Sequence, residues 1–239
     1  MTETFTITYK FTLADNSQEV FDLVFDARTI ELIIDDQTPL PSWTELSLHQ
    51  CPPCPLDPKT HSHCPVAKNL SLAVSRLDRL MSFDRIMVQV INAERKVFHH
   101  TSAQEGISSL MGLLIAGSSC PVTHFFKPMA RFHLPFANKD ETLCRVAATF
   151  LLARYFSESG LKKSDINLGG LIDIYYDVAR LNDHMVERVR SATSKDSAVN
   201  ALVHLDVFAK FLTPPLEDSL DQIKHIFSPF LNQGGPMPQ

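Results

Sequence analysis

With 239 residues, 44% of them hydrophobic and 21% charged, the chain is long enough to bury a sizeable core and too apolar to be disordered over most of its length. Its formal net charge of -5 supplies none of the basic footprint that nucleic-acid binding relies on, so no nucleic-acid partner is expected. The opening MTETFTITYKF lacks a basic and then apolar leader, and the apolar run from Leu110 to Gly117 falls far short of the roughly 18 to 20 residues that cross a bilayer; a cytoplasmic protein with no membrane partner is expected.

From Thr4 to Leu13, apolar and polar residues alternate without a break, with Phe5, Ile7, Tyr9, Phe11 and Leu13 on one side. That is the pattern of a half-buried strand. Turn-forming residues at 14–18 are followed by a second alternation through Phe21, Leu23 and Phe25, which predicts a hairpin, with Ile30 to Ile33 as a possible third strand. Residues 1–35 thus form a small antiparallel sheet. The segment 36–64 is rich in proline and cysteine and is expected to be an irregular loop docked through Trp43, Leu46 and Leu48.

After Pro65 the period changes to that of an amphipathic helix through Val66, Leu70, Val74 and Leu77, with proline suited to the first turn. A second short hairpin is predicted from Ile86 to His100, and Thr101 is the expected cap of a buried helix over 102–117. Asn138 and Glu141 have capping-box spacing ahead of a helix at 143–156 that would stop near Gly160. Asn167, Ser194 and Thr213 could cap helices near 168–193, 195–212 and 214–227, the last with Leu216, Leu220, Ile223 and Phe227 facing inward. Residues 65–232 thus read as one mainly helical domain packed on the sheet, and 233–239 as a disordered tail. The fold class is α+β: mainly α-helical, with a small N-terminal antiparallel sheet and a second short hairpin.

Four of the five cysteines precede proline: Cys51, Cys54, Cys64 and Cys120. The fifth, Cys144, lies in an amphipathic helix, where a free cysteine usually behaves as a small hydrophobe. Four thiolates make a complete ligand set for zinc or an iron–sulfur cluster, and Cys51 and Cys54 can reach one centre from a single turn. Pro52 and Pro53 lack the N–H groups of an ordinary zinc knuckle, which disfavours that knuckle but not zinc itself. Cysteine before proline recurs at a ferredoxin ligand, although the spacing matches neither standard ferredoxin run, so a 4Fe–4S cluster leads and structural Zn2+ is the alternative. A thiol or disulfide switch is a further reading, and His49, His61 and His63 could replace one cysteine as ligand.

Beyond Cys120, Arg131 and His133 interrupt an apolar, proline-broken segment and could donate hydrogen bonds to the cofactor's sulfurs, with Lys127 as another cation nearby. Catalysis by Cys120 with His133 as its base lacks an obvious orienting acid. Asp173, Asp177 and Arg180, and the pair Asp183 and Glu187, read as solvated helix faces. Asp196, Asn200 and His204 recur every four residues and suit a polar stripe between packed helices. Neither a Walker loop nor a dinucleotide-binding glycine motif is present.

The stretches WTELSLHQCPPCPL, HCPVAKNL, SSLMGLLIAGSSCP and PMARFHLPF together resemble a bacterial family catalogued only as a domain of unknown function. The resemblance spans most of the chain, implies a bacterial cytoplasmic protein and matches the family's cysteines to Cys51, Cys54, Cys64 and Cys120, but it carries no activity with it. The leading expectation from the residues is therefore an iron–sulfur protein in redox sensing or regulation, acting through a protein partner. A structural zinc module for protein interaction is the alternative, and a metal- or thiol-dependent enzyme the third.

Overall fold

The structure, a computed structural model, describes residues 3–34, 39–157, 168–211 and 216–231. The alternating N-terminal segment forms β1 (Thr4–Thr12) and β2 (Gln18–Asp26), paired antiparallel with Tyr9 opposite Phe21. β3 (Arg85–Ile91) and β4 (Lys96–Ser102) form the second hairpin. The two hairpins are not separate, as the sequence reading had them. β1 pairs antiparallel with β3, giving one four-stranded sheet in the order β2-β1-β3-β4.

The predicted third strand does not form. Only Leu32 bridges to Phe25, and its N–H is drawn away to the carbonyl of Gly117 at 2.8 Å. The inward face of the sheet carries Ile7, Tyr9, Phe11, Phe21, Leu23, Phe25, Ile86, Val88 and Val90, all buried.

Two helices cover that face. α1 (Pro65–Leu77) crosses from β2 to β3, and α2 (Ala103–Ala116) follows β4 directly. The cap of α2 is Ser102, whose hydroxyl accepts from the N–H of Glu105, and not Thr101, whose hydroxyl instead donates to the Glu105 carboxylate. Two glycines let α2 lie close on the sheet: a Cβ at Gly106 would stand 2.9 Å from Ile86 and Val88, and one at Gly117 2.5 Å from Phe25. The Asn69 amide, buried in α1, donates to the Leu114 carbonyl of α2 at 2.9 Å.

The rest of the described chain is helical. A 3-10 turn (Pro121–Phe126) leads into α3 (Lys127–Arg131), followed by α4 (Lys139–Ser157), α5 (Gly169–Arg190), α6 (Ser197–Phe211), α7 (Leu216–Ile223), a 3-10 turn (Lys224–Phe227) and α8 (Ser228–Leu231). The capping box at the start of α4 forms in both directions, with Asn138 Oδ1 accepting from Glu141 N and Glu141 accepting from Asn138 N. Ser194 does not cap α6. It binds Asp78, whose carboxylate also takes the N–H of Lys195, while Asp196 takes the N–H and hydroxyl of Ser82. These bonds lock the loop before β3 to the loop before α6.

Leu216 and Ile223 are buried as expected, whereas Phe227 is 46% exposed because the helix tightens to 3-10 geometry there. The expectations for Gly160, Asn167, Thr213 and the 233–239 tail lie outside the described residues. Among the described residues no single helix is long and apolar enough to cross a membrane. The main core joins the sheet to α1, α2, the far half of α5 and α6; a second apolar cluster joins α4, the near half of α5 and α7.

Candidate functional site

The segment that promised a metal centre is pinned to the core rather than spread as a ligand loop. Leu46 N donates to Ser62 O, Cys64 N to Thr44 O, and His63 Nδ1 lies 2.8 Å from the Thr44 hydroxyl. Leu46 is buried and Trp43 packs on the core, while Leu48 stays exposed.

The Cys–Pro pairs have local explanations. Cys64 and Cys120 are helix N-cap residues with extended backbone, and the proline after each occupies the first helical turn, where its missing N–H costs nothing. Cys51 opens a tight turn closed by Cys54 N to Cys51 O at 3.0 Å.

The metal-centre reading is overturned by this placement. Among the described residues no group of three or more histidines, cysteines or carboxylates is so arranged that it could hold a metal ion, and all five cysteines are free. Cys51, Cys64 and Cys120 are buried members of the main core, and Cys54 packs against it. The sulfurs are near enough to act on one another's charge, but burial is the larger influence: it pushes Cys51 up to about 12 and Cys120 to about 11, and raises Cys64. These are neutral thiols packed as small apolar groups. Cys144, set apart from the quartet in the sequence, is exposed.

The cations and histidines assigned to the centre go elsewhere. Arg131 lies over the rings of Phe5 and Phe132, at 4.8 and 5.7 Å. Lys127 pairs with Glu31 at 3.1 Å. His61 bonds the neighbouring Thr60, and His49 sits at positive φ in a turn. His133 bonds Tyr9 Oη at 2.6 Å.

The cation that does approach the cysteines is one that the sequence reading passed over. Arg188 of α5 is fully buried and donates to the carbonyls of Trp43, Glu45 and Leu46 at 3.0, 2.6 and 3.0 Å. It staples the loop to the helical half. A charged residue on the buried stripe formed by Leu181, Met185 and Val189 was the available signal.

The structural feature with room for chemistry lies on the other side of α2. A cavity of about 430 Å3 opens between α2, the segment from α3 to the start of α4, and the inner faces of α5 and α6. Its walls are largely apolar, with Leu113, Met129, Ala130, Leu134, Val178 and Leu205 among them. Gly112 of α2 also lies on it.

Three polar groupings converge on this space. In the first, Tyr9 Oη, wholly buried, lies 2.7 Å from Ser109 Oγ and 2.6 Å from His133 Nε2, while Phe136 N donates to Ser109 Oγ at 3.3 Å. With the proton of His133 on Nδ1, the hydrogen bonds run in one direction, from Phe136 N–H through Ser109 and Tyr9 to His133. Burial, reinforced by the positive charge of Arg145, lowers His133 to about 3, so the ring is neutral at pH 7. Burial raises Tyr9.

In the second, Ser108 Oγ lies 3.2 Å from His204 Nδ1, with Glu105 one turn earlier held by Thr101. Asp196, just before α6, and Asn200 in its first turn join 3.0 Å apart. In the third, Arg145 of α4 uses one nitrogen, Nη2, to bind the carbonyls of Met129 and Phe132 at 3.2 and 3.0 Å. Beside it Tyr175 is only 5% exposed, and its ring meets Phe126 edge to face at 5.7 Å.

No curated protein and no solved structure matches the chain. A family model does, over residues 7–228: the chain belongs to the family described as Domain of unknown function (DUF6901).

Proposed function

We propose that this family member is a small-molecule-binding protein whose site is the cavity between α2 and the helices α4 to α6. The observation that carries the reading is the cavity itself. At about 430 Å3 it falls in the roughly 300–1,000 Å3 range of ligand sites, and it combines apolar walls with a few convergent polar groups. Its placement adds support: the walls come from helices packed on two separate apolar clusters, so they are largely pre-formed.

Binding is favoured over turnover at the grouping of Ser109, Tyr9 and His133 by the chemistry of those groups. Ser109 bonds Tyr9 and not a histidine, so no base stands ready to activate its hydroxyl. His133 is held neutral as a hydrogen-bond partner of Tyr9, with a pKa of about 3 that ill suits proton transfer near pH 7.

The test is to fill the cavity. Gly112 faces it from the middle of α2, and a Cβ there has room, with Leu205 at 3.6 Å. Wild-type protein is expected to bind the neutral apolar dye Nile red at one site with a blue-shifted emission, and Gly112→Leu to lose that signal while melting as a folded protein. Equal dye binding by the two proteins, or none by wild type, would overturn the proposal.

A further inference from the structure

The cavity's polar groups are not equally satisfied, and the inequality points to a ligand. In the grouping of Ser109, Tyr9 and His133 each side chain already meets another protein group. Glu105 accepts from Thr101. Arg145 and Tyr175 differ. Among the described residues the Nε and Nη1 donors of Arg145 take no hydrogen-bond partner, and no carboxylate lies within ion-pairing distance of the guanidinium. Glu141, one turn earlier, acts on it only through space, because its carboxylate closes the capping box with Asn138.

Tyr175 is the second observation. Its side chain is more than nine-tenths buried, yet its hydroxyl has no partner among the described residues. That oxygen is also not one of the atoms sealed without a partner inside the packing, and Tyr175 lines the cavity. A buried hydroxyl and a half-buried guanidinium left unsatisfied are costly unless something completes them. Together they offer N–H donors in a planar fork and one O–H donor, a set that matches the two oxygens of a carboxylate.

We infer that the cavity recognises an organic monocarboxylic acid, its carboxylate seated on Arg145 and Tyr175 and its apolar body lying along Leu113, Met129 and Leu205. This inference rests on the cavity being a ligand site. One guanidinium neutralises one negative charge, and the Glu105 carboxylate on the same cavity disfavours a dianion such as a phosphate monoester. The apolar walls exclude a small, fully polar acid as the preferred occupant, since it would leave them wet.

The experiment compares matched compounds that differ only at the head: octanoate, octanamide and octylamine, each displacing Nile red from intact protein. Octanoate is expected to displace the dye at a concentration lower by about tenfold than octanamide, and octylamine to be the weakest of the three. In Arg145→Met the advantage of octanoate over octanamide should vanish while octanamide itself still competes. Tyr175→Phe, which keeps the ring and its packing on Phe126, should weaken octanoate by roughly three- to tenfold and octanamide by less, because the charged acceptor makes the stronger hydrogen bond.

Equal displacement by octanoate and octanamide in wild type, or an acid preference that survives both substitutions, would overturn the inference while leaving a ligand cavity in place. Failure of Nile red and all three compounds to bind would remove the cavity reading and this inference with it. Should Arg145→Met fail to fold, Tyr175→Phe alone decides, because it deletes one oxygen of a cavity-lining residue.

Discussion

Arg188 and Arg145 each carry a guanidinium away from bulk water onto backbone carbonyls, but the two are completed to different degrees. Arg188 meets three carbonyls of one loop with two of its nitrogens and has no exposed surface. Arg145 meets two carbonyls with a single nitrogen and lines a cavity, with no partner on its other nitrogens among the described residues. A guanidinium cannot shed its charge at ordinary pH, so each must be solvated by what surrounds it. The first is held by the protein through both terminal nitrogens, with only its Nε left unpartnered, and serves the fold; the second is left for something else to complete.

The largest expected effect is on the closed side of this comparison. Arg188→Met should lower stability by about 3–5 kcal/mol, because three carbonyls, one buried and two part-buried, lose their donors at once. Urea unfolding at pH 7 measures this. A loss under about 1 kcal/mol would mean that the loop is not held by these bonds.

Acid should act on the cavity side first. His133 has a pKa of about 3 when folded and an ordinary value near 6.5 when unfolded, so between those values the unfolded chain binds the extra proton. The stabilisation is complete above the unfolded value and is lost as pH falls through this window, on the order of 2–3 kcal/mol by pH 4.5. The raised thiols beside Arg188 stay neutral throughout it. His133→Gln, which keeps an acceptor for Tyr9 but cannot titrate, should flatten the difference between unfolding curves at pH 7 and pH 4.5. An unchanged difference would show that His133 is not the sensitive group.

Arg145→Met should cost less than Arg188→Met, about 1–2 kcal/mol, since only two partly accessible carbonyls lose a donor. A loss matching that of Arg188→Met would erase the distinction between the two arginines. The smallest effect has the opposite sign. Gly112→Ala should raise stability by about 0.5–1 kcal/mol, because a glycine inside a helix costs entropy and its Cβ would meet Leu205 at an ordinary contact distance of 3.6 Å. A destabilised Gly112→Ala would mean that the space beside it is not free.

Much of the architecture was legible from periodicity. The alternation of Phe5 to Leu13 marked β1, and the Asn138 and Glu141 spacing marked the start of α4, because each is written in neighbouring residues. The joining of the two hairpins was not, since the pairing of Tyr9 with Val90 depends on how α1 returns the chain. The cysteine reading failed for a related reason. Proline after Cys64 and Cys120 serves a helix start as well as a ligand loop, and only the placement of the sulfurs separates the two. His133 was expected to serve a cofactor's sulfurs, whereas its hydrogen bond goes to Tyr9. Arg145 and Tyr175, from different helices, carried no shared spacing that could bring them together in a sequence.

Methyl NMR of the folded protein during titration with octanoate tests the central claim most directly, because Met129, Leu113 and Leu205 line the cavity and each carries a reporter. The account predicts saturable shifts concentrated at these methyls, absent in Gly112→Leu and weakened in Arg145→Met. Shifts spread over exposed methyls, or silence at Met129 while octanoate binds elsewhere, would contradict it.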